Sequence, residues 1–99
     1  MSEERKYEVT LYKFKDGKEY SDLIAYVQGD GQLVMEGYDL GPSVKNLQGD
    51  SDYEYWIYVK PDDVPKVVLE LIKDRFNSFS AFKDWLREKG IDYDFRFWI

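Results

Sequence analysis

The apolar residues of this chain recur with a period of two as far as Val59, with a period of about 3.6 from Pro61 to Gly90, and with a period of two again from Ile91, and those switches decide the class of fold. Alternation builds strands with one buried face, and the longer period builds helices with one apolar stripe. Tyr7-Glu8-Val9-Thr10-Leu11-Tyr12-Lys13-Phe14 alternates among β-favouring residues and runs into the turn signal Asp16-Gly17. Asp22 to Gln28 is a second run, and Gly29-Asp30-Gly31 reads as a hairpin turn into a third over Gln32 to Tyr38. Leu40 to Asp52 is rich in Gly, Pro, Ser, Asn and Asp and reads as a long loop of the kind that is often functional. Strand alternation returns at Tyr53 to Val59, with Tyr53, Tyr55, Ile57 and Val59 on one side and Glu54, Trp56 and Tyr58 on the other.

Beyond Pro61, the residues Val64, Val67, Val68, Leu71 and Ile72 form one helical stripe, Asp62 and Asp63 favour its N-terminus, and Pro65 falls in the tolerant first turn. Ser78 or Ser80 is placed to cap a second helix carrying Phe82, Trp85 and Leu86 and closing at Gly90. Ile91, Tyr93, Phe95, Phe97 and Ile99 then alternate with Asp92, Asp94, Arg96 and Trp98, which predicts a last strand paired within the sheet. The expected fold is a single α+β domain over residues 1–99: a mostly antiparallel five-stranded sheet with two helices on one face, in the order β-β-β-β-α-α-β.

Composition narrows the chemistry. The chain has no Cys and no His, so disulfides, thiol chemistry, the commonest transition-metal ligand and the usual neutral-pH proton shuttle are all missing. The net charge of -6 is concentrated: Glu19 to Val59 holds eight acids against the single Lys45. Such a field repels nucleic acid and anionic membranes and suits a basic protein or a cation, although acidity also simply keeps a small domain soluble. The charged N-terminus has no apolar segment of a secretory signal, and no run approaches the roughly 18 apolar residues of a membrane span, so a cytoplasmic protein is expected.

Asp39, Asp50, Asp52 and Glu54 bracket the long loop beside Tyr38, Tyr53, Tyr55 and Trp56, and these eight residues form the candidate binding site. Oxygen-rich clusters can hold calcium or magnesium, but the spacing is not that of an EF-hand, and Asp50 and Asp52 equally suit turns that hydrogen-bond their own backbone. No phosphate-binding glycine loop and no activated nucleophile is evident, so no cofactor is implied. A second surface is suggested by rings in opposite phase to the apolar face: Tyr12 and Phe14 against Val9 and Leu11, Trp56 and Tyr58 against Ile57 and Val59, and Trp98 against Phe97, with Tyr26 or Tyr38 added. That surface is open to two readings, a binding or dimerisation face and a face stiffened by cross-strand aromatic pairs or covered by the loop.

The pair Gly37-Tyr38-Asp39-Leu40-Gly41-Pro42-Ser43-Val44 and Gly49-Asp50-Ser51-Asp52-Tyr53-Glu54-Tyr55-Trp56, followed by Lys60-Pro61-Asp62-Asp63-Val64-Pro65, resembles a motif pair of small uncharacterised bacterial proteins. The resemblance implies a prokaryotic cytoplasmic origin and no activity. By analogy with small acidic proteins that act as inhibitors or immunity partners, the leading expectation is a non-enzymatic module that binds a basic protein. The alternatives are a metal-dependent enzyme centred on Asp39, Asp50, Asp52 and Glu54, and a homodimer formed through the sheet in place of a monomer.

Overall fold

The computed structural model of the protein describes residues 4–41 and 52–98. The chain divides into two compact units, Met1–Pro65 and Lys66–Ile99.

The first unit is an antiparallel meander of four strands, β1 (Arg5–Asp16), β2 (Glu19–Gln28), β3 (Leu33–Leu40) and β4 (Asp52–Val59), in the spatial order β1-β2-β3-β4. The β1–β2 connection is a two-residue hairpin, with Asp16 opposite Glu19 and Gly17 at φ +62°, as a type II′ turn requires at its first central position. The β2–β3 connection is tied by Gln28 N–H donating to the Gln32 carbonyl at 2.9 Å and by Gln32 N–H donating to the Asp30 side chain at 2.9 Å. β3 and β4 pair from Leu33 opposite Val59 to Leu40 opposite Asp52. Of the loop expected over Leu40 to Asp52, Leu40 and Asp52 belong to the two strands and pair with each other, and residues 42–51 lie outside the described residues.

Pairing assigns each side chain to a face. One face is apolar: Val9 lies opposite Ala25, Ala25 opposite Met35, and Met35 opposite Ile57. The other carries most of the sheet's carboxylates, and there Tyr26 and Val34 pair directly and are 7% and 0% exposed. Tyr12 and Phe14 depart from the expected phase. A register shift between Thr10 and Tyr12 inserts Leu11 as an extra residue, so Tyr12 and Phe14 return to the face of Val9, opposite Leu23 and Ser21. Alternation counted along a sequence has no means of registering one added residue.

In the second part of the chain a single 3-10 turn, Pro61–Asp63, leads into α1 (Val64–Arg75), and α2 (Phe79–Glu88) follows. The Ser78 hydroxyl accepts from Ala81 N–H at 3.0 Å and caps α2, while Gly90 at φ +70° closes it with Ile91 N–H donating to the Leu86 carbonyl. Phe76, Phe82 and Trp85 form an aromatic cluster with centroids 5.3 to 6.2 Å apart. Among the described residues no helix is long and apolar enough to cross a membrane.

Among the described residues the expected five-stranded sheet is corrected to four strands followed by two helices, β-β-β-β-α-α. Residues 91–98 take no regular secondary structure, and Ile99, the expected end of the fifth strand, lies outside the described residues. Alternation says which residues would share a face in a sheet, but a strand also needs a hydrogen-bonded neighbour, which alternation does not supply. Phe95 instead lies 5.7 Å from Phe79 of α2 and 5.8 Å from Phe97, centroid to centroid.

Candidate functional site

Two cross-strand rows build the site on the carboxylate face. In one, Lys13 lies opposite Asp22, Asp22 opposite Tyr38, and Tyr38 opposite Glu54; in the next, Thr10 lies opposite Ile24, Ile24 opposite Glu36, and Glu36 opposite Trp56. Directly opposed side chains in an antiparallel sheet stand about 5 Å apart, so the rows bring three carboxylates and two large rings together. Asp22, Ile24, Glu36, Tyr38, Glu54 and Trp56 line a depression of about 300 Å³. That is the lower limit for small-molecule pockets.

Glu36 is the fixed point. Its Oε1 accepts from Tyr26 Oη at 3.1 Å and from Trp56 Nε1 at 3.1 Å, and Arg5 Nη2 lies 3.5 Å away. The Arg5 guanidinium also sits 3.8 Å from the Tyr26 ring centroid and donates to Glu8 at 3.0 Å. The guanidinium pKa is raised, first by the hydrogen bond to Glu8. Burial, then the hydrogen bond to Glu36, pushes the Tyr26 phenol up. Asp22 accepts from Tyr20 Oη at 2.8 Å, which raises the Tyr20 phenol. Trp56 is pinned by its indole N–H yet remains 44% exposed. This set of groups can take a cation: carboxylates offer charge-assisted hydrogen bonds, rings offer their negative faces, and Arg5 already makes both contacts within the chain.

The eight residues singled out from the sequence fall into three groups. Tyr38, Asp52, Glu54 and Trp56 share the carboxylate face. Asp39, Tyr53 and Tyr55 stand on the apolar face, and Asp50 lies outside the described residues. Asp39 belongs to a separate network in which Ser21 Oγ donates to Oδ1 and Tyr55 Oη donates to Oδ2 at 3.1 Å. Burial, then the hydrogen bond to Asp39, pushes the Tyr55 phenol up to about 12. A metal centre joining Asp39 to Asp52 and Glu54 would have to reach through the sheet. Among the described residues no group of three or more acidic side chains is placed to hold a metal ion.

Asp22 and Glu36 are the site residues that the sequence reading missed. Each is the polar member of an alternating run, and the available signal was the hairpin turn at Gly29 to Gly31, from which the register opposing them to Tyr38 and Ile24 can be counted. Comparison with protein-family models, with curated proteins and with solved structures finds no match.

Proposed function

We propose that this chain is a non-enzymatic acidic protein-binding module whose carboxylate face takes a basic side chain or segment of a protein partner, as an inhibitor or immunity partner of a basic protein does. The observation behind this reading is the pair of in-register rows that sets Asp22, Glu36 and Glu54 beside Tyr38 and Trp56. Glu36 is already held by two donors, so the site is organised before a partner arrives and little ordering entropy remains to oppose binding. The surrounding field, with the chain's entire acidic excess in Glu19 to Val59, speeds encounter with a basic surface and repels a phosphate backbone.

Calorimetric titration with an oligoarginine peptide tests this. The wild-type chain is expected to bind, more weakly as salt is raised. Asp22→Asn with Glu54→Gln should lose roughly tenfold or more in affinity, because charge-assisted hydrogen bonds are the strong ones. The charge-matched control Asp62→Asn with Asp63→Asn should bind nearly as the wild type does. Equal losses in the two double variants would reduce the binding to overall acidity and contradict the assignment of the site.

A further inference from the structure

The two edges of the sheet differ. β1 is interrupted by two register shifts and carries Arg5, Lys6, Lys13 and Lys15, features that discourage pairing with another chain. β4 pairs with β3 through eight consecutive residues without a shift, and Asp52-Tyr53-Glu54-Tyr55-Trp56-Ile57-Tyr58-Val59 has neither Lys nor Pro. Such an edge is a template for a further strand.

We infer that β4 pairs antiparallel with β4 of a second copy, about a two-fold axis at Trp56, giving a continuous sheet across a homodimer. The acids of the strand, together with Lys60, which follows it in extended backbone, select this partner and this register. Asp52 and Lys60 lie equally far from Trp56 along the chain, so the axis sets Asp52 of each copy opposite Lys60 of the other, and the ion pair occurs twice. Glu54 then faces Tyr58, while on the apolar face Tyr53 meets Val59 and Tyr55 meets Ile57. No like charges are directly opposed. Moving the axis to Tyr55 sets both carboxylates of β4 against rings and leaves Lys60 beyond the ladder. Moving it to Ile57 pairs Glu54 with Lys60 but runs Tyr53 and Asp52 against Pro61 and Asp62 of the 3-10 turn, so the ladder shortens to residues 55–59, against 53–59 for the axis at Trp56. The exposure of Tyr53, Ile57 and Tyr58, at 42%, 62% and 58%, leaves their rings and methyl groups available to the second strand. This inference stands on the edge and its charges and does not depend on the basic-partner reading.

Sedimentation of the full chain at micromolar concentration, with two complementary variants, provides the test. The wild type should sediment as a dimer. Lys60→Glu sets acid against acid at both ends of the ladder, and Asp52→Lys sets base against base, so each variant alone should associate roughly tenfold or more weakly. Mixed together they restore two opposite-charge pairs and should form a one-to-one dimer. The double variant Asp52→Lys with Lys60→Glu should dimerise by itself, which separates lost pairing from lost folding. A monomeric wild type, single variants that dimerise as strongly as the wild type, or a mixture that stays monomeric would each overturn the proposal.

Discussion

Gly37 occupies a position where a single methyl group decides the packing. A Cβ built there would lie 2.1 Å from Cε2 of Tyr55, the residue directly opposite on β4. Gly37→Ala must therefore displace the Tyr55 ring and with it the hydrogen bond to Asp39, and the expected loss is about 1–3 kcal/mol in chemical denaturation. The same ring predicts a dependence on pH. The folded state holds the Tyr55 phenol at about 12 against an ordinary value of 10.0, so its contribution is whole below pH 10 and is lost as pH rises through about 12. Tyr55→Phe should cost about 1 kcal/mol at neutral pH, the net worth of the hydrogen bond to Asp39. The difference in unfolding midpoint between wild type and Tyr55→Phe should shrink between pH 10 and 12; a difference unchanged across that range would remove the coupling. At this scale half of the candidate site was legible. Tyr38, Asp52, Glu54 and Trp56 were chosen for charge and ring content and do share a face. Asp39, Tyr53 and Tyr55 were chosen for the same content, but neighbours along a strand point to opposite sides, so closeness in sequence separates them in space.

Among the elements, α2 was the most readable because its boundaries are chemical. Ser78 supplies the acceptor for Ala81 N–H and Gly90 supplies the left-handed closing residue. Ser78→Ala should cost about 1 kcal/mol of stability, while Ser80→Ala, without the capping bond, should cost a few tenths, a contrast measurable by thermal or denaturant unfolding. The four strands of the first unit were also visible, and turns at Asp16-Gly17 and Gly29-Asp30-Gly31 fix the β1–β2 and β2–β3 hairpins. Two features were not. The extra residue Leu11 reverses the phase of β1 halfway along, and a bulge leaves no mark on a count of apolar residues. The run after Gly90 alternates as well as any strand in the chain, but alternation is a statement about faces, whereas a ladder depends on which edge lies within reach.

For the whole molecule, the proposed binding of a basic partner rests on how the meander gathers charge. Eight acids against one base between Glu19 and Val59 were plain from the sequence, and their field already favoured a basic partner over a phosphate backbone. What composition could not give was the convergence of Asp22, Glu36 and Glu54 from three strands, because it depends on register between segments joined by turns. If β4 joins a second copy, the two depressions come to lie on one continuous face on either side of the Trp56 axis, and a basic segment long enough to cross the axis would engage both with a gain in effective concentration. The most direct measurement of the central claim is a titration of isotope-labelled protein with oligoarginine, followed by amide and indole resonances. The expected result is saturable shifts at Asp22, Glu36, Tyr38, Glu54 and the Trp56 indole N–H, with Asp39 and Tyr53 nearly unmoved. Shifts centred on Asp39 and the apolar face, or spread evenly over acidic residues throughout the chain, would contradict it.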